Sequence, residues 1–288
     1  MPQRIGMFAT LTHCLLLSKY CVEQDCFPIF SIENELYGAD WFNRFFRLRT
    51  TPTARDQTEA VLLEDRLQIN AFTRGATENE ISDELTSIAE GARLFHRFLE
   101  IKEEIRSELE VQAESLIRGR TVGVHYRGTD KFLCESLPVT HMDVFEAIER
   151  TAGLKTPIFL ATDDRDFFRF IATRVPPPLL RYQRAPDGPS HYEQAATFEK
   201  GLEALTDAGL LSKCSVVIKT SSLLSAWSVI FNPDLPVVLV GGPKENAYPE
   251  DHALQGGAGY FPENLLHRRK TNAKVAAVLL PSHPPTAW

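Results

Sequence analysis

Thr121-Val122-Gly123-Val124-His125-Tyr126-Arg127-Gly128-Thr129-Asp130-Lys131 is the stretch on which the reading of this chain turns. Residues 121–124 are small and apolar or β-branched, which predicts a short buried strand over 121–126. From His125 onward the residues turn polar and charged, with Gly128 among them. In an open parallel sheet, ligands bind beyond the carboxyl ends of the strands, so this abrupt change marks a candidate site.

Downstream the same alternation continues. Strands are predicted at 158–161, 179–182, 215–219 and 237–240, with helices between them at 142–151, 165–173, 193–212 and 223–231. In the longest of these helices Ala195, Phe198, Leu202, Leu205 and Gly209 keep the three-to-four step of one packed face. Strands alternating with helices imply βαβ units, a parallel sheet and the α/β class. Two more polar clusters fall at strand ends, Thr162-Asp163-Asp164 and Thr220-Ser221-Ser222, the second directly before a helix. Each cluster alone is a weak signal, but all three line one rim of one sheet.

Upstream of Gly119 the character differs. Residues 7–24 read as a helix and 27–32 as a short strand. Tyr37, Trp41, Phe42, Phe45 and Phe46 then gather, and they read as core packing more readily than as an acceptor platform. Leu85, Ile88, Ala92, Phe95 and Leu99 begin a helical pattern that Phe98, Ile101, Ile105 and Leu109 continue on a rotated face, giving two successive helices or one bent helix. The chain therefore divides into an amino-terminal lobe with a helical segment (1–118), a nucleotide-type α/β lobe (119–270) and a carboxy-terminal tail (271–288) expected at the surface.

Composition narrows the function classes. The 288 residues are 43% hydrophobic and 24% charged, enough for a sizeable core. A net charge of −7 argues against a nucleic-acid partner, which would call for a basic face. Five cysteines without a CxxC spacing suggest neither a zinc site nor a disulfide framework, and a reducing compartment fits. Residues 5–17 resemble a secretory apolar segment behind Arg4, but Thr10, Thr12 and His13 interrupt it and no small-x-small cleavage site follows. No apolar run approaches the ~20 residues of a membrane span. The expected location is cytoplasmic, with peripheral attachment to a membrane left open.

The three clusters suit a diphosphate. Ser221 or Ser222 at a helix start offers a hydroxyl beside unsatisfied N–H groups, which favour an anion. Arg127 carries a planar fork of donors that matches a phosphate and stays charged, or it forms an ion pair with Asp130 or Asp163. Asp163-Asp164 could hold Mg²⁺ or Mn²⁺. Adjacent acids on a turn make a poor cage, however, and Asp164 is well placed to cap the helix that follows. Asp207 is either a solvated helix residue or a carboxylate that accepts two N–H bonds from a base such as guanine.

Residues 123–131, 159–164 and 211–214, with Asp207 upstream and Lys219-Thr220-Ser221-Ser222 downstream, resemble the α-1,6-fucosyltransferase group. That group includes nodulation and core fucosyltransferases, with protein O-fucosyltransferases more distant. The resemblance spans about residues 119–240, with a weaker likeness over 6–37. It implies a GT-B-like fold of two Rossmann-like lobes, and an inverting glycosyltransferase that moves L-fucose from GDP-fucose to a hydroxyl of an oligosaccharide or polysaccharide, with no metal or other cofactor. Arg127 would hold the β-phosphate, His125 would contact the nucleotide, and Asp207 would recognise guanine. Thr220, Ser221 and Ser222 would bind the phosphates, and Asp130, Asp163 and Asp164 would brace the site. Glu135 stands at the offset of a proposed acceptor-activating base.

The chain also departs from the pattern. The opening strand before Gly6 is missing or very short, which leaves room for a reduced amino-terminal lobe. Gly128 stands where the core enzyme has a second arginine. The alternatives are a transferase using another nucleotide sugar and a non-catalytic relative that binds nucleotide or glycan.

Overall fold

The computed structural model describes residues 6–23, 27–30, 32, 34, 36–38, 40–49, 88–128, 139–153, 155–186, 197–220, 222–241 and 277–279. Its carboxy-terminal half is built on strands β3 (Val122–Tyr126), β4 (Ile158–Thr162), β5 (Leu180–Arg181), β6 (Val216–Lys219), β7 (Val237–Leu239) and β8 (Ala277–Leu279). The lateral order is β5-β4-β3-β6-β7-β8. The first five are mutually parallel, and β8 runs antiparallel to β7. The crossovers are helices α5 (His141–Ala152), α6 (Arg165–Ala172), α7 (Phe198–Ser212) and α8 (Leu223–Phe231). Apart from β8, these elements fall within a residue or two of the predicted ones wherever the chain is described.

Both faces of the sheet are covered, which is why its strands read as unbroken apolar runs. Val122, Val124 and Tyr126 pack with Ile158, Leu160 and Ile218 under α5 and α6. Phe159, Ala161 and Val217 pack on the other side with Leu210 and Leu211 of α7 and Val229 of α8. Gly123 lets α7 press close on that side. A Cβ there would lie 2.9 Å from Leu211 Cδ2, 3.0 Å from Val217 Cγ2 and 3.1 Å from Cys214 Sγ. Capping sets the helix starts: Thr140 and Asp143 form a reciprocal capping box at α5, and the Thr197 hydroxyl accepts the Lys200 N–H at α7.

The amino half contains α1 (Met7–Glu23), α2 (Trp41–Phe45), β1 (Phe46–Leu48), α3 (Ile88–Phe98), β2 (Leu99–Ile101) and α4 (Glu103–Leu116). The long helical pattern after Leu85 is thus two helices, interrupted by a strand that pairs antiparallel with β1. The aromatic group is core: Trp41, Phe42, Phe45 and Phe46 are all buried, and Phe45 stacks on Phe198 at 4.5 Å.

This half shares its core with the other. Leu11, Leu15, Trp41 and Phe95 belong to one buried cluster with Leu205 and Ala208 of α7 and Trp227 of α8. Gly119, at the expected boundary, has a positive φ of +61°, and the packing continues across it. Among the described residues the amino half holds helices and one two-stranded antiparallel sheet, and no parallel sheet of its own. A hydrogen bond joins the halves within this core, from Trp227 Nε1 to Thr12 Oγ1 at 2.9 Å. Thr12→Val is expected to leave that buried indole donor unsatisfied and cost about 1–3 kcal/mol. Urea unfolding checks this, and nucleotide affinity should not change.

Two expectations need correction. Residues 27–30 form no strand: Pro28 lacks an N–H for a ladder, and Phe27 and Ile29 are exposed. Part of the supposed surface tail, Ala277–Leu279, instead lies along β7 as the sheet's last strand. An apolar run that covers an open edge satisfies backbone groups which β7 would otherwise leave exposed. No helix among the described residues is long and apolar enough to cross a membrane.

Candidate active site

Chain order and lateral order part company at β3: β4 and β5 lie to one side, β6 and β7 to the other. The crevice beyond the carboxyl ends of β3 and β6 is therefore the topological switch point, where doubly wound folds bind ligands. The structure brings residues from all three polar clusters together there.

The backbone N–H of Arg127, just past β3, donates to Thr220 Oγ1 at 2.9 Å. The Thr220 N–H donates to the carbonyl of His125 at 3.0 Å, so the two strand ends are laced together beyond the ladder. On the other side, Arg127 Nη1 lies 2.6 Å from Asp163 Oδ2, with both side chains largely buried. Of the alternatives open for this guanidinium, the ion pair with Asp163 is present. Asp130 lies outside the described residues.

The Thr162 hydroxyl donates to the Tyr126 carbonyl at 2.7 Å and accepts the Asp164 N–H at 3.1 Å. Asp164 Oδ1 accepts the Phe167 N–H at 2.8 Å and so caps α6, as its position suggested. Among the described residues no group of three His, Cys, Asp or Glu could hold a metal ion.

His125 is buried, and among the described residues its Nδ1 has no hydrogen-bond partner. Burial lowers its pKa to about 3, with further lowering from the charges of Lys219 and Arg127. The imidazole is therefore neutral at any working pH, with one donor and one acceptor nitrogen. Such an orphaned polar atom in a native interior calls for an explanation.

Ser222 is the N-cap residue of α8 in extended conformation, but its hydroxyl makes no capping bond to the helix. The nearby helix start thus retains the anion-favouring character of unsatisfied N–H groups. Ser221 and Glu135 lie outside the described residues. Asp207 sits on α7 among buried neighbours, and burial raises its pKa to about 8, aided by the charge of Glu203 one turn earlier. Lys219 was not among the candidate residues, yet it is buried beside His125. The available signal was a cation ending an otherwise apolar strand.

Gly128 also has a physical reason to lack a side chain. A Cβ there would collide with the ring of Tyr126 and lie 2.5 Å from Asp164 Oδ2. Tyr126 cannot easily yield, being stacked on Phe167 at 4.1 Å and tied by its hydroxyl to the Val139 carbonyl. Gly128→Ala should cost about 1–3 kcal/mol through overpacking. Hydrogen exchange should show faster opening of the Phe167 amide as the Asp164 cap is displaced.

A five-stranded parallel sheet with this crossover order and a polar rim at the switch point defines an α/β fold, and comparison with solved structures supports the GT-B-like kind. Among solved structures the chain is similar to NodZ α-1,6-fucosyltransferase soaked with GDP-fucose. The TM-score is 0.55 at 18% identity, covering 83% of this chain and 93% of that one. The structure of fucosyltransferase NodZ from Bradyrhizobium matches with a TM-score of 0.56 at 17% identity over the same shares. NodZ co-crystallised with GDP gives the same figures. At this identity the likeness is one of fold. No protein-family model matches the chain, and no curated protein does so at a significant level.

Proposed function

We propose that this chain is a glycosyltransferase that moves L-fucose from GDP-fucose to a carbohydrate hydroxyl, with inversion and without a metal. The observation that carries the reading is the junction at the switch point, where Arg127 is bound through its backbone to Thr220 and through its guanidinium to Asp163. A likeness in fold to NodZ structures obtained with GDP-fucose and with GDP supports it.

In this reading Arg127 holds the β-phosphate, oriented by Asp163. In a single displacement the acceptor oxygen bonds to the anomeric carbon as the bond to the β-phosphate oxygen breaks. Negative charge then grows on the leaving diphosphate, and a preorganised guanidinium opposes it most strongly in that transition state. Thr220, Ser221, Ser222 and the start of α8 receive the phosphates. His125, neutral and with an unpartnered nitrogen, contacts the nucleotide. Asp207 accepts guanine N–H groups, Asp130 and Asp164 brace the loops, and Glu135 takes the acceptor proton. The acceptor is an oligosaccharide or polysaccharide.

Calorimetry of the metal-stripped protein with GDP and GDP-fucose tests the reading, which fails if neither binds. Hydrolysis across a panel of nucleotide sugars separates a fucosyl donor from another sugar. Binding without turnover on any donor would identify a non-catalytic relative.

A further inference from the structure

The switch point contains one buried charged group to which the diphosphate reading gives no task. Lys219 ends β6 at 2% exposure, and lysines are rarely so buried unless their ammonium is satisfied. Its Nζ donates to the carbonyl oxygen of Ser222 at 3.1 Å. That bond spans the turn carrying Thr220 and ends on the N-cap residue of α8. The same carbonyl accepts the Ala226 N–H at 3.1 Å and the Ser225 hydroxyl at 3.3 Å. The ammonium thus grips the peptide group from which the helix begins. Across the ladder, Lys219 is the registered partner of His125, and paired residues on neighbouring strands project to the same face.

We propose that Lys219 is a positioning residue of this site, its ammonium pinning the turn between β6 and α8 and standing as a fixed buried cation beside His125, behind the diphosphate. The inference rests on the nucleotide reading above and gives it a residue that acts without touching substrate. Pinning the Ser222 carbonyl holds the first N–H groups of α8 and the Thr220 hydroxyl in one frame, since Thr220 is itself bonded to both His125 and Arg127. The two charges acting on His125 are Lys219 and Arg127, and burial acts in the same direction. The imidazole accordingly stays neutral, while permanent cations supply the positive field.

The test uses the full chain with isotope-labelled histidine, titrated by NMR without ligand, together with calorimetry against GDP. In the wild type, His125 should remain neutral well below the ordinary imidazole value of about 6.5. Titration near that value would overturn the proposal without any variant. Lys219→Met should raise the His125 titration by about one unit or more and weaken GDP about tenfold, the scale of a lost charge-assisted bond. Lys219→Arg, which keeps charge and donors, should bind GDP within about threefold of the wild type if the ammonium's task is the one described. A Met variant matching the wild type in both readouts, or an Arg variant that folds but fails as badly as Met, would overturn it. If Met does not fold, the wild-type titration and the Arg variant still decide. A wild type that ignores GDP would instead overturn the nucleotide reading, while the ligand-free titration judges Lys219 separately.

Discussion

Arg127→Ala is expected to lower turnover by about 10²–10³-fold, the usual consequence of removing one preorganised donor from a developing anion. The fold should survive, because the bond from residue 127 to Thr220 uses the backbone N–H and does not depend on the side chain. Asp163 would lose the cation 2.6 Å from its carboxylate, at a cost of about 1–3 kcal/mol for a largely buried charged acceptor. Arg127→Lys should recover only part of the rate, since an ammonium keeps the charge but not the planar fork that can face a carboxylate and a phosphate together. Steady-state kinetics beside a thermal melt separates the two effects. A folded alanine variant with parental turnover would remove Arg127 from the mechanism.

Asp207→Asn carries the second large effect, and it is seen in pH as well as in affinity. The folded carboxyl titrates at about 8, while an unfolded aspartate titrates near 3.9. Between those values the native state holds a proton that the unfolded state lacks, so this residue makes stability fall as pH rises. His125 has the opposite sign. Its folded pKa of about 3 means that the unfolded chain takes up a proton below about 6.5 while the native state does not, so stability falls as pH drops through that window. From about pH 4 to 6.5 the two slopes oppose each other. From about 6.5 to 8 the Asp207 slope stands without that opposition, and it should remove up to about 2 kcal/mol.

The asparagine variant should flatten that fall in unfolding experiments at pH 6.5 and 8. If Asp207 accepts the two guanine N–H groups, GDP binding must expel its proton. GDP affinity should then rise with pH toward 8, by up to about tenfold per unit, with proton release visible as a buffer-dependent enthalpy. The same variant places an NH₂ against guanine donors, so GDP should weaken about 10²-fold and its advantage over ADP should shrink. A variant that kept both GDP affinity and selectivity would assign guanine recognition elsewhere.

Much of the sheet was legible because its signals are local. The runs at 122–126, 158–162 and 216–219 are short, apolar and bounded by polar groups, and each crossover helix carries a continuous face. The Asp164 cap could be anticipated for the same reason, since a cap bond spans only a few residues. The lateral order of strands was not legible, because pairing depends on crossovers. Nor was the role of residues 277–279: an apolar triplet near the end reads as a frayed tail until the edge it covers is known. The short strand expected near 27–32 failed on Pro28, a local signal outweighed by the apolar residues beside it.

Residue identity alone determined that three polar clusters would stand at strand ends, because a strand that leaves a buried sheet must change from apolar to polar where it emerges. Which clusters meet was decided only in three dimensions. Reversal of strand order at β3 sets β6 beside it, so residues 93 positions apart share one hydrogen bond between Arg127 and Thr220. The same adjacency buries Lys219 beside His125, while β4 on the other side of β3 brings Asp163, just past its end, to Arg127. Charge, burial and distance in this site are properties of neighbours brought together by long crossovers, and a linear pattern carries no measure of them.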